Sequence, residues 1–293
     1  MRAILSMTAA ALLLTGLPAR AEDVERTAPA DPRGQVEIVT ASGEIHVRGW
    51  DRPEVKVTAS ISSSEQLRVD SSDQHTSIRV VRSNGGPTHG ATDLIVNVPR
   101  TSALTVSTIS ADQTIEDVRG AQRLQAVSGS VTTQVWSEEL QVKTISGDIE
   151  IRGNKDSSEV SIQTTSGDIT LADTAGDLTL ETVTGDMDVS MKELSRGRIH
   201  TTNGDLHLRT RLAGDARLDA EAINGDLRFI LRKPVEAEFD VETFNGAIDN
   251  CFGPKSVRTR EFAPGNALRF KEGSGGARVR VKTLNGGVEI CKE

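Results

Sequence analysis

The sequence contains no tyrosine, two tryptophans and six phenylalanines, so aromatic residues fill only 3% of its 293 positions. A core in this chain must therefore be built from aliphatic and small side chains rather than from packed rings. Sites that hold a ligand between aromatic platforms are disfavoured for the same reason.

Positive charge is also scarce: 34 Lys and Arg residues stand against 42 Asp and Glu, which gives a formal net charge of -8. No long basic run occurs. Nucleic-acid binding depends on clustered Lys and Arg that displace counterions from phosphates. The sequence therefore predicts no nucleic-acid partner.

Long apolar runs are absent except at the N-terminus. Arg2 precedes an apolar stretch at residues 3–17, and residues 19–21 have the small-x-small pattern that signal peptidase recognises. About fifteen apolar residues fall short of the roughly 20 that span a bilayer, so a signal peptide at 1–21 is favoured over a membrane anchor. We expect a periplasmic protein with no integral membrane segment after cleavage. The extracellular space or the cell surface is the alternative destination.

A short phrase recurs through the rest of the chain. Its clearest copies are TISGDIEI, TTSGDITL, TVTGDMDV and TTNGDLHL, at residues 144–151, 164–171, 182–189 and 201–208. Most of the copies begin about nineteen residues apart, a period typical of a solenoid. Ala111 replaces the glycine in a degenerate copy, and the predicted turn glycines are Gly129, Gly147, Gly167, Gly185, Gly204, Gly225, Gly246 and Gly286.

Within each copy, apolar residues alternate with polar ones, which indicates strands rather than helices. Counted from the glycine, the apolar residues lie an odd number of positions before it and an even number of positions after it. The buried face therefore switches at the glycine, and the chain must turn a corner there. Nineteen residues would form one coil of two or three short strands, with coils stacked about 4.8 Å apart. The sequence predicts an all-β, single-domain β-solenoid with aliphatic columns inside.

The ends of such a stack need caps that block edge-to-edge strand pairing. Residues 34–100 contain longer and less regular strand patterns, which predict an irregular N-terminal β cap, and the repeats occupy 101–293. Residues 22–33 contain Pro29 and Pro32 and no apolar period. We expect them to be a disordered leader.

The two cysteines, Cys251 and Cys291, each lie five residues after a repeat glycine, Gly246 or Gly286. Equivalent positions in adjacent coils are close enough for a disulfide, whereas positions two coils apart are not. The spacing therefore predicts a disulfide that clips the last coil directly onto the Gly246 coil, with residues 253–276 as an excursion. Two buried free thiols are the alternative.

The recurring T-φ-S/T/N-G-D-φ strands resemble those of the bacterial DUF4097 family, whose domain is named for an adhesin role. The segment GWDRPEV at residues 49–55 looks like an early motif of that family. Ala111 departs from the pattern at a glycine position, and Ala247 and Gly287 depart from it at the Asp position. The resemblance implies a β-solenoid of the bacterial envelope and supplies no shared catalytic residues.

Aspartates follow five of the repeat glycines and would stack as a column of carboxylates. Like charges about 4.8 Å apart repel unless they are screened, and a bound Ca²⁺ could screen them. A Ca²⁺ site needs six to eight oxygen ligands, however, and the column offers one carboxylate per coil. We therefore expect the aspartates to form turns and the protein to need no cofactor, and Ca²⁺ binding by the column is the alternative. The five residues are Asp148, Asp168, Asp186, Asp205 and Asp226.

No glycine-rich phosphate loop, serine nucleophile elbow or H-E-x-x-H motif is present, so no catalytic residue is assigned. We expect a non-catalytic, adhesin-like or scaffold protein that binds a cell-envelope protein or glycan. A glycan-active enzyme on a β-solenoid is one alternative, because this fold also hosts enzymes. A cation-dependent envelope-stress sensor that uses the Asp column is the other.

Overall fold

The computed structural model describes residues 22–82, 92–154, 156–259 and 264–293. Along its strands, buried side chains alternate with side chains that face solvent. In Leu140–Ser146, for example, Leu140, Val142 and Thr144 are buried and the residues between them are not. A period of two is the geometry of a β-strand. Among the described residues every regular element is a strand, and the strands form one sheet around one aliphatic core. The prediction of an all-β single domain is confirmed.

Twenty-three strands are formed by the described residues. In chain order they are β1 (Glu22–Pro29), β2 (Gln35–Trp50), β3 (Glu54–Ile61), β4 (Glu65–Ser71), β5 (His75–Arg82), β6 (Thr92–Pro99), β7 (Ala103–Glu116), β8 (Gln122–Ser128), β9 (Val131–Val135), β10 (Leu140–Ser146), β11 (Ile149–Gly153), β12 (Ser157–Ser166), β13 (Ile169–Thr184), β14 (Met187–Asn203), β15 (Leu206–Thr210), β16 (Leu212–Asn224), β17 (Leu227–Leu231), β18 (Ala237–Asn245), β19 (Ile248–Asn250), β20 (Val257–Arg258), β21 (Asn266–Glu272), β22 (Ala277–Asn285) and β23 (Val288–Lys292).

Successive repeats pair in parallel and in register, so each sequence position stacks on its counterpart in the next repeat. Leu124 pairs with Val142 and Val142 with Ile162, which extends one aliphatic column through the stack. Burying that column removes apolar surface from water in every repeat. In spatial order it comprises Ile78, Ile38, Val106, Leu124, Val142, Ile162, Leu180, Ile199, Ala220, Val281 and Val241.

The N-terminal strands cap one end of the stack. Strand β2 pairs in parallel with β7 on one side and with β5 and β6 on the other. Strands β3 and β4 then run antiparallel to β6 and β5. The reversal of direction ends the run of parallel repeats.

The first described residues differ from the disordered leader expected for 22–33. Strand β1 pairs antiparallel with β3 along its whole length, from Glu22 to Pro29. Val24 packs against the core although no apolar period marks the segment. Backbone hydrogen bonds to the exposed edge of β3 therefore order these residues without a strong side-chain signal. The predicted signal peptide at 1–21 lies outside the described residues.

At the other end, the order of the repeats in space departs from their order in the chain. Strands β22 and β23, which flank Gly286, pair with the Gly246 repeat as expected. They also pair with β16 and β17 of the Gly225 repeat, so the last repeat in the chain is inserted between these two. The Gly246 repeat ends the stack.

The segment expected to be a simple excursion, residues 253–276, covers the outer edge of the Gly246 repeat. It contains β20 and β21, and β21 pairs antiparallel with the outer edge of β18. That edge is then occupied, so the returning chain takes the inner edge of β18. Phe239 on β18 stacks on Phe270 of β21, with ring centroids 4.4 Å apart, and Phe252 packs 5.5 Å from Phe270.

A disulfide joins Cys251 to Cys291, with their Cα atoms 4.8 Å apart. It connects the end of the Gly246 repeat to the end of β23, its neighbour in the stack. The described residues contain no helix long and apolar enough to cross a membrane.

Replacing both cysteines (Cys251→Ser with Cys291→Ser) should lower the free energy of unfolding by about 3–4 kcal/mol, because the bridge closes a loop of 40 residues. Denaturant unfolding of wild type under oxidising and reducing conditions, beside the double variant, measures the difference. Equal stability of all three samples would contradict the prediction.

An ion pair joins β5 to β2 within the N-terminal cap. Arg79 on β5 donates to Glu37 on β2 at 2.9 Å, and Ser77 donates to the same oxygen at 3.4 Å. The hydrogen bond from Arg79 holds the pKa of Glu37 below its ordinary value against the opposing effect of burial. A depressed pKa in the folded state means that the contribution to stability is present at neutral pH and is lost as the pH falls through that pKa.

Glu37→Gln should therefore lower the melting temperature by about 1–3 °C at pH 7 and by almost nothing near pH 3. Thermal unfolding followed by circular dichroism across this range checks the trend. Glu44→Gln on the same strand is the control, because its carboxylate faces His46 rather than an arginine. A pH-independent loss in the Glu37 variant would show that the ion pair is not its cause.

Candidate functional site

Each repeat turns its corner at a glycine that nearly touches the next repeat. Gly167 has a φ of 131°, and a Cβ there would overlap the carbonyl oxygen of Gly147. Seven of the predicted turn glycines have φ between 116° and 153°, a region that other residues rarely adopt. Gly246 lies outside that range, yet a Cβ on it would also overlap a carbonyl oxygen, that of Gly286.

The aspartates after these glycines form a hydrogen-bonded ladder. The Oδ1 atom of Asp148 accepts from the backbone N–H of Asp168 at 3.0 Å, and that of Asp168 accepts from Asp186 at 2.9 Å. The same bond joins Asp186 to Asp205 and Asp205 to Asp226, and Asp226 accepts from Gly287. Each carboxylate thus meets a backbone donor of the neighbouring corner, which offsets the repulsion within the column.

Metal ligation requires several side chains to converge on one point. Among the described residues no group of three or more His, Cys, Asp and Glu side chains has such an arrangement. His200 and His207 lie on different strands, each beside its own carboxylate, with Nδ1 3.9 Å from Glu221 and 3.8 Å from Asp188. Each of these histidines therefore lies beside a single carboxylate.

A second ladder, of asparagine side chains, lies immediately before the corner glycines. Asn224 donates to Asn203 at 2.7 Å, Asn285 donates to Asn224 at 2.8 Å, and Asn245 donates to Asn285 at 2.9 Å. The ladder follows the spatial order of the repeats rather than their order in the chain. Sequence reasoning missed the ladder, because two of its three rungs depend on the inserted last repeat.

Beside this ladder runs a line of exposed apolar side chains, which we call the corner ridge. Each member lies two residues before a corner position and is 40–58% exposed. Two threonines, Thr165 and Thr202, occupy the same position in the other repeats. The seven apolar members, in spatial order, are Ile109, Val127, Ile145, Val183, Ile223, Leu284 and Phe244.

Sequence reasoning missed the corner ridge although a signal was present. Buried positions before the glycine are odd offsets, as in Thr144 three residues before Gly147. Ile145 occupies an even offset and must point to solvent. An apolar residue repeated at an outward position was therefore readable from the motif itself.

On the other side of the corner, the Asp ladder forms one wall of an open groove of about 590 Å³. Asp188, His207, Arg228 and Glu289 also line it. Arg228 donates to Glu289 at 2.7 Å, and this hydrogen bond raises the pKa of the guanidinium. The groove is acidic in character, and most of its carboxylates accept from backbone N–H groups or lie beside Arg228 or His207.

The match to a known family covers most of this architecture: the model of DUF4097, the Toastrack family, matches residues 33–290. The chain belongs to the DUF4097 family. No curated protein matches it. Among solved structures, a "putative adhesin" from Bacteroides fragilis is 10% identical over 94% of this chain and 99% of its own, with a TM-score of 0.41.

Two further structures have a similar sequence identity to this chain. A "putative lipid binding protein" from Parabacteroides distasonis is 10% identical over 92% of this chain and 96% of its own, with a TM-score of 0.36. A "putative cell adhesion protein" from Clostridium sporogenes is 9% identical over 93% of this chain and all of its own, with a TM-score of 0.22.

Each position of the DUF4097 repeat motif has a distinct place in this structure. The Thr is buried, the following apolar residue forms the corner ridge, and the next polar residue is hydrogen-bonded across repeats at Ser110–Ser128 and along the asparagine ladder. The glycine allows the close approach of two repeats, and the Asp caps the neighbouring corner. In the early motif, Trp50 Nε1 donates to the carbonyl oxygen of Glu54 at 2.8 Å, which fixes the connection from β2 to β3.

The Asp ladder can be tested at its middle rung. Asp168→Ala should cost about 1 kcal/mol of unfolding free energy because it leaves the N–H of Asp186 without its acceptor. Asp168→Asn should cost less, since the amide retains Oδ1, and Asp188→Ala is the control for loss of charge. Chemical denaturation with and without EDTA measures all three. The column would be a cation site instead if Asp168→Asn lowered the unfolding free energy as much as Asp168→Ala did, and if EDTA lowered that of wild type by the same amount.

Proposed function

We propose that this protein is a non-catalytic binding module of the bacterial cell envelope, adhesin-like or a scaffold, that docks a partner protein on the corner ridge. The observation that carries the proposal is the ridge itself: seven apolar side chains in register, all exposed. Exposed apolar side chains aligned on a folded protein mark an interaction site, because water disfavours them, and in the ridge two threonines, Thr165 and Thr202, interrupt the line.

The ridge makes little contribution to the fold that displays it. Its side chains point away from the core, and the buried columns already satisfy the need of each repeat to bury apolar surface. Ser110 and Ser128 share a hydrogen bond beside it, and the asparagine ladder continues this polar border. A narrow apolar line with a polar border is typical of a protein–protein interface.

The aliphatic character of the ridge favours a protein over a glycan as the partner. Phe244 is its one aromatic member. Repeated Ile, Val and Leu side chains offer shape and apolar area but no hydrogen bonds to sugar hydroxyls. A partner segment with a matching line of apolar residues would cover them and exclude water.

The architecture and location complete the proposal. Residues 1–21 are a signal peptide, residues 34–100 are the cap, and residues 101–293 are a β-solenoid with coils of about nineteen residues. The disulfide between Cys251 and Cys291 supports an oxidising compartment such as the periplasm.

Site-specific photo-cross-linking tests the docking surface. A photoreactive residue at Ile145 or Val183 should give a discrete adduct with one envelope protein, whereas the same residue at Thr132 or Thr170, which face solvent after the corner, should not. The cross-linked protein is then purified and its affinity for residues 22–293 is measured.

The matched variant carries Val127→Ser, Ile145→Ser and Val183→Ser. It should keep the wild-type melting temperature within a few degrees and lose roughly tenfold or more in affinity for the purified partner. Undiminished binding by this variant, or equal adducts at the control sites, would overturn the ridge as the docking surface. Saturable binding to purified peptidoglycan would support a glycan partner, and release of glycan fragments would support the glycan-active enzyme.

A further inference from the structure

A second groove, of about 580 Å³, lies on the strands that lead into the corners. Five arginines contribute to its lining, and we call it the arginine groove: Arg196, Arg198, Arg217, Arg278 and Arg280. All five are exposed, on a chain in which acids outnumber bases. The groove is therefore locally positive although the chain as a whole carries a net negative charge.

The register of the stack places these arginines side by side. Arg196 on β14 pairs with Arg217 on β16, and Arg217 pairs with Arg278 on β22. Neighbouring strands are about 4.8 Å apart, and like charges directly opposite one another destabilise a sheet. Two residues farther along the strands, Arg198 and Arg280 flank Asp219.

Most of these guanidinium groups lack a protein partner. Arg196 donates to Asp177, with Nε 2.9 Å from the carboxylate oxygen. In the part of the chain that the structure describes, the other four make no ion pair or side-chain hydrogen bond. Elsewhere on the same sheet Arg269 engages both Asp240 and Glu242 at 2.8 Å, so this fold does pair arginines where acids are within reach.

Acidic side chains border the groove on both sides along the stack. Glu159 and Asp177 lie on β12 and β13 at one border. Glu238 and Asp240 lie on β18 at the other, in register with Arg278 and Arg280. The unpaired positive charge is therefore confined to three strands, which suits a compact anionic group and disfavours a long polyanion.

We propose that the arginine groove binds a phosphate group. A carboxylate is satisfied by one bidentate arginine, whereas a phosphate presents several acceptor oxygens in different directions. Arg198, Arg217, Arg278 and Arg280 supply donors from two rows across three strands, and a bound dianion would relieve their mutual repulsion. The volume of the groove leaves room for a small molecule that carries the phosphate.

This site is separate from the corner ridge and does not depend on a partner protein there. It also lies beyond the reach of sequence reasoning, because Arg217 and Arg278 are 61 positions apart and meet only through the inserted last repeat. The phosphate source is free phosphate, a sugar phosphate or a lipid headgroup, and the measurement distinguishes these.

Isothermal titration of residues 22–293 with inorganic phosphate, pyrophosphate and glucose 6-phosphate is the direct test. We expect saturable binding that weakens with added NaCl. Arg217→Gln with Arg278→Gln should reduce the affinity roughly tenfold or more, because both unpaired guanidiniums of one row are removed. Arg68→Gln with Arg123→Gln removes the same charge from other exposed strands and should leave the affinity within about twofold.

Further binding measurements identify the source of the phosphate and test the alternatives to a phosphate site. Tighter binding of glucose 6-phosphate than of phosphate would support a small phosphorylated ligand, and sedimentation with phosphatidylglycerol vesicles that pyrophosphate prevents would support a lipid headgroup. Equal losses in the two double variants would overturn the proposal, as would the absence of saturable binding or tighter binding of oligogalacturonate. The Val127, Ile145 and Val183 serine variant should retain phosphate binding, so failure of the docking surface is distinguishable from failure of this site.

Discussion

The structure depends on the close approach of successive repeats at their corners. Gly167 donates its N–H to Thr184 of the next repeat at 3.2 Å, and Gly147 donates to Ser166 at 3.1 Å. A side chain at these corners would overlap a neighbouring carbonyl oxygen, so glycine is the residue that lets adjacent backbones close the gap. This contact fixes the register, and every column of the stack follows from it.

Because the register is fixed, each position of the repeat stacks on the equivalent position of the next repeat and forms a line. Inside, the lines are aliphatic and supply the core. At the corner they become ladders, such as the carboxylate-to-amide bonds from Asp148 to Asp226, and the apolar line of the corner ridge. The same arrangement places Arg217 beside Arg278, where repeated charge opposes folding. Columns that the core does not require are therefore the surfaces most suited to binding.

Both ends of the stack are closed by a change of strand direction. Antiparallel β1 and β3 cover the N-terminal end, and antiparallel β21 covers β18 at the other. An open parallel edge would template pairing with another chain. The C-terminal closure has a further effect: it occupies the outer edge of β18, and the last repeat enters the stack one place inward.

The sequence by itself determined the repeat, the strand alternation and the corner at each turn glycine. These features are local, since glycine geometry and a period of two are set within a few residues. The order of the last two repeats, the pairing of β1 and the neighbours of Arg217 were decided by tertiary structure. Each depends on which strand edge is still unpaired when distant segments of the chain meet. Because these segments are up to 61 positions apart in the sequence, their pairing leaves no local sequence pattern.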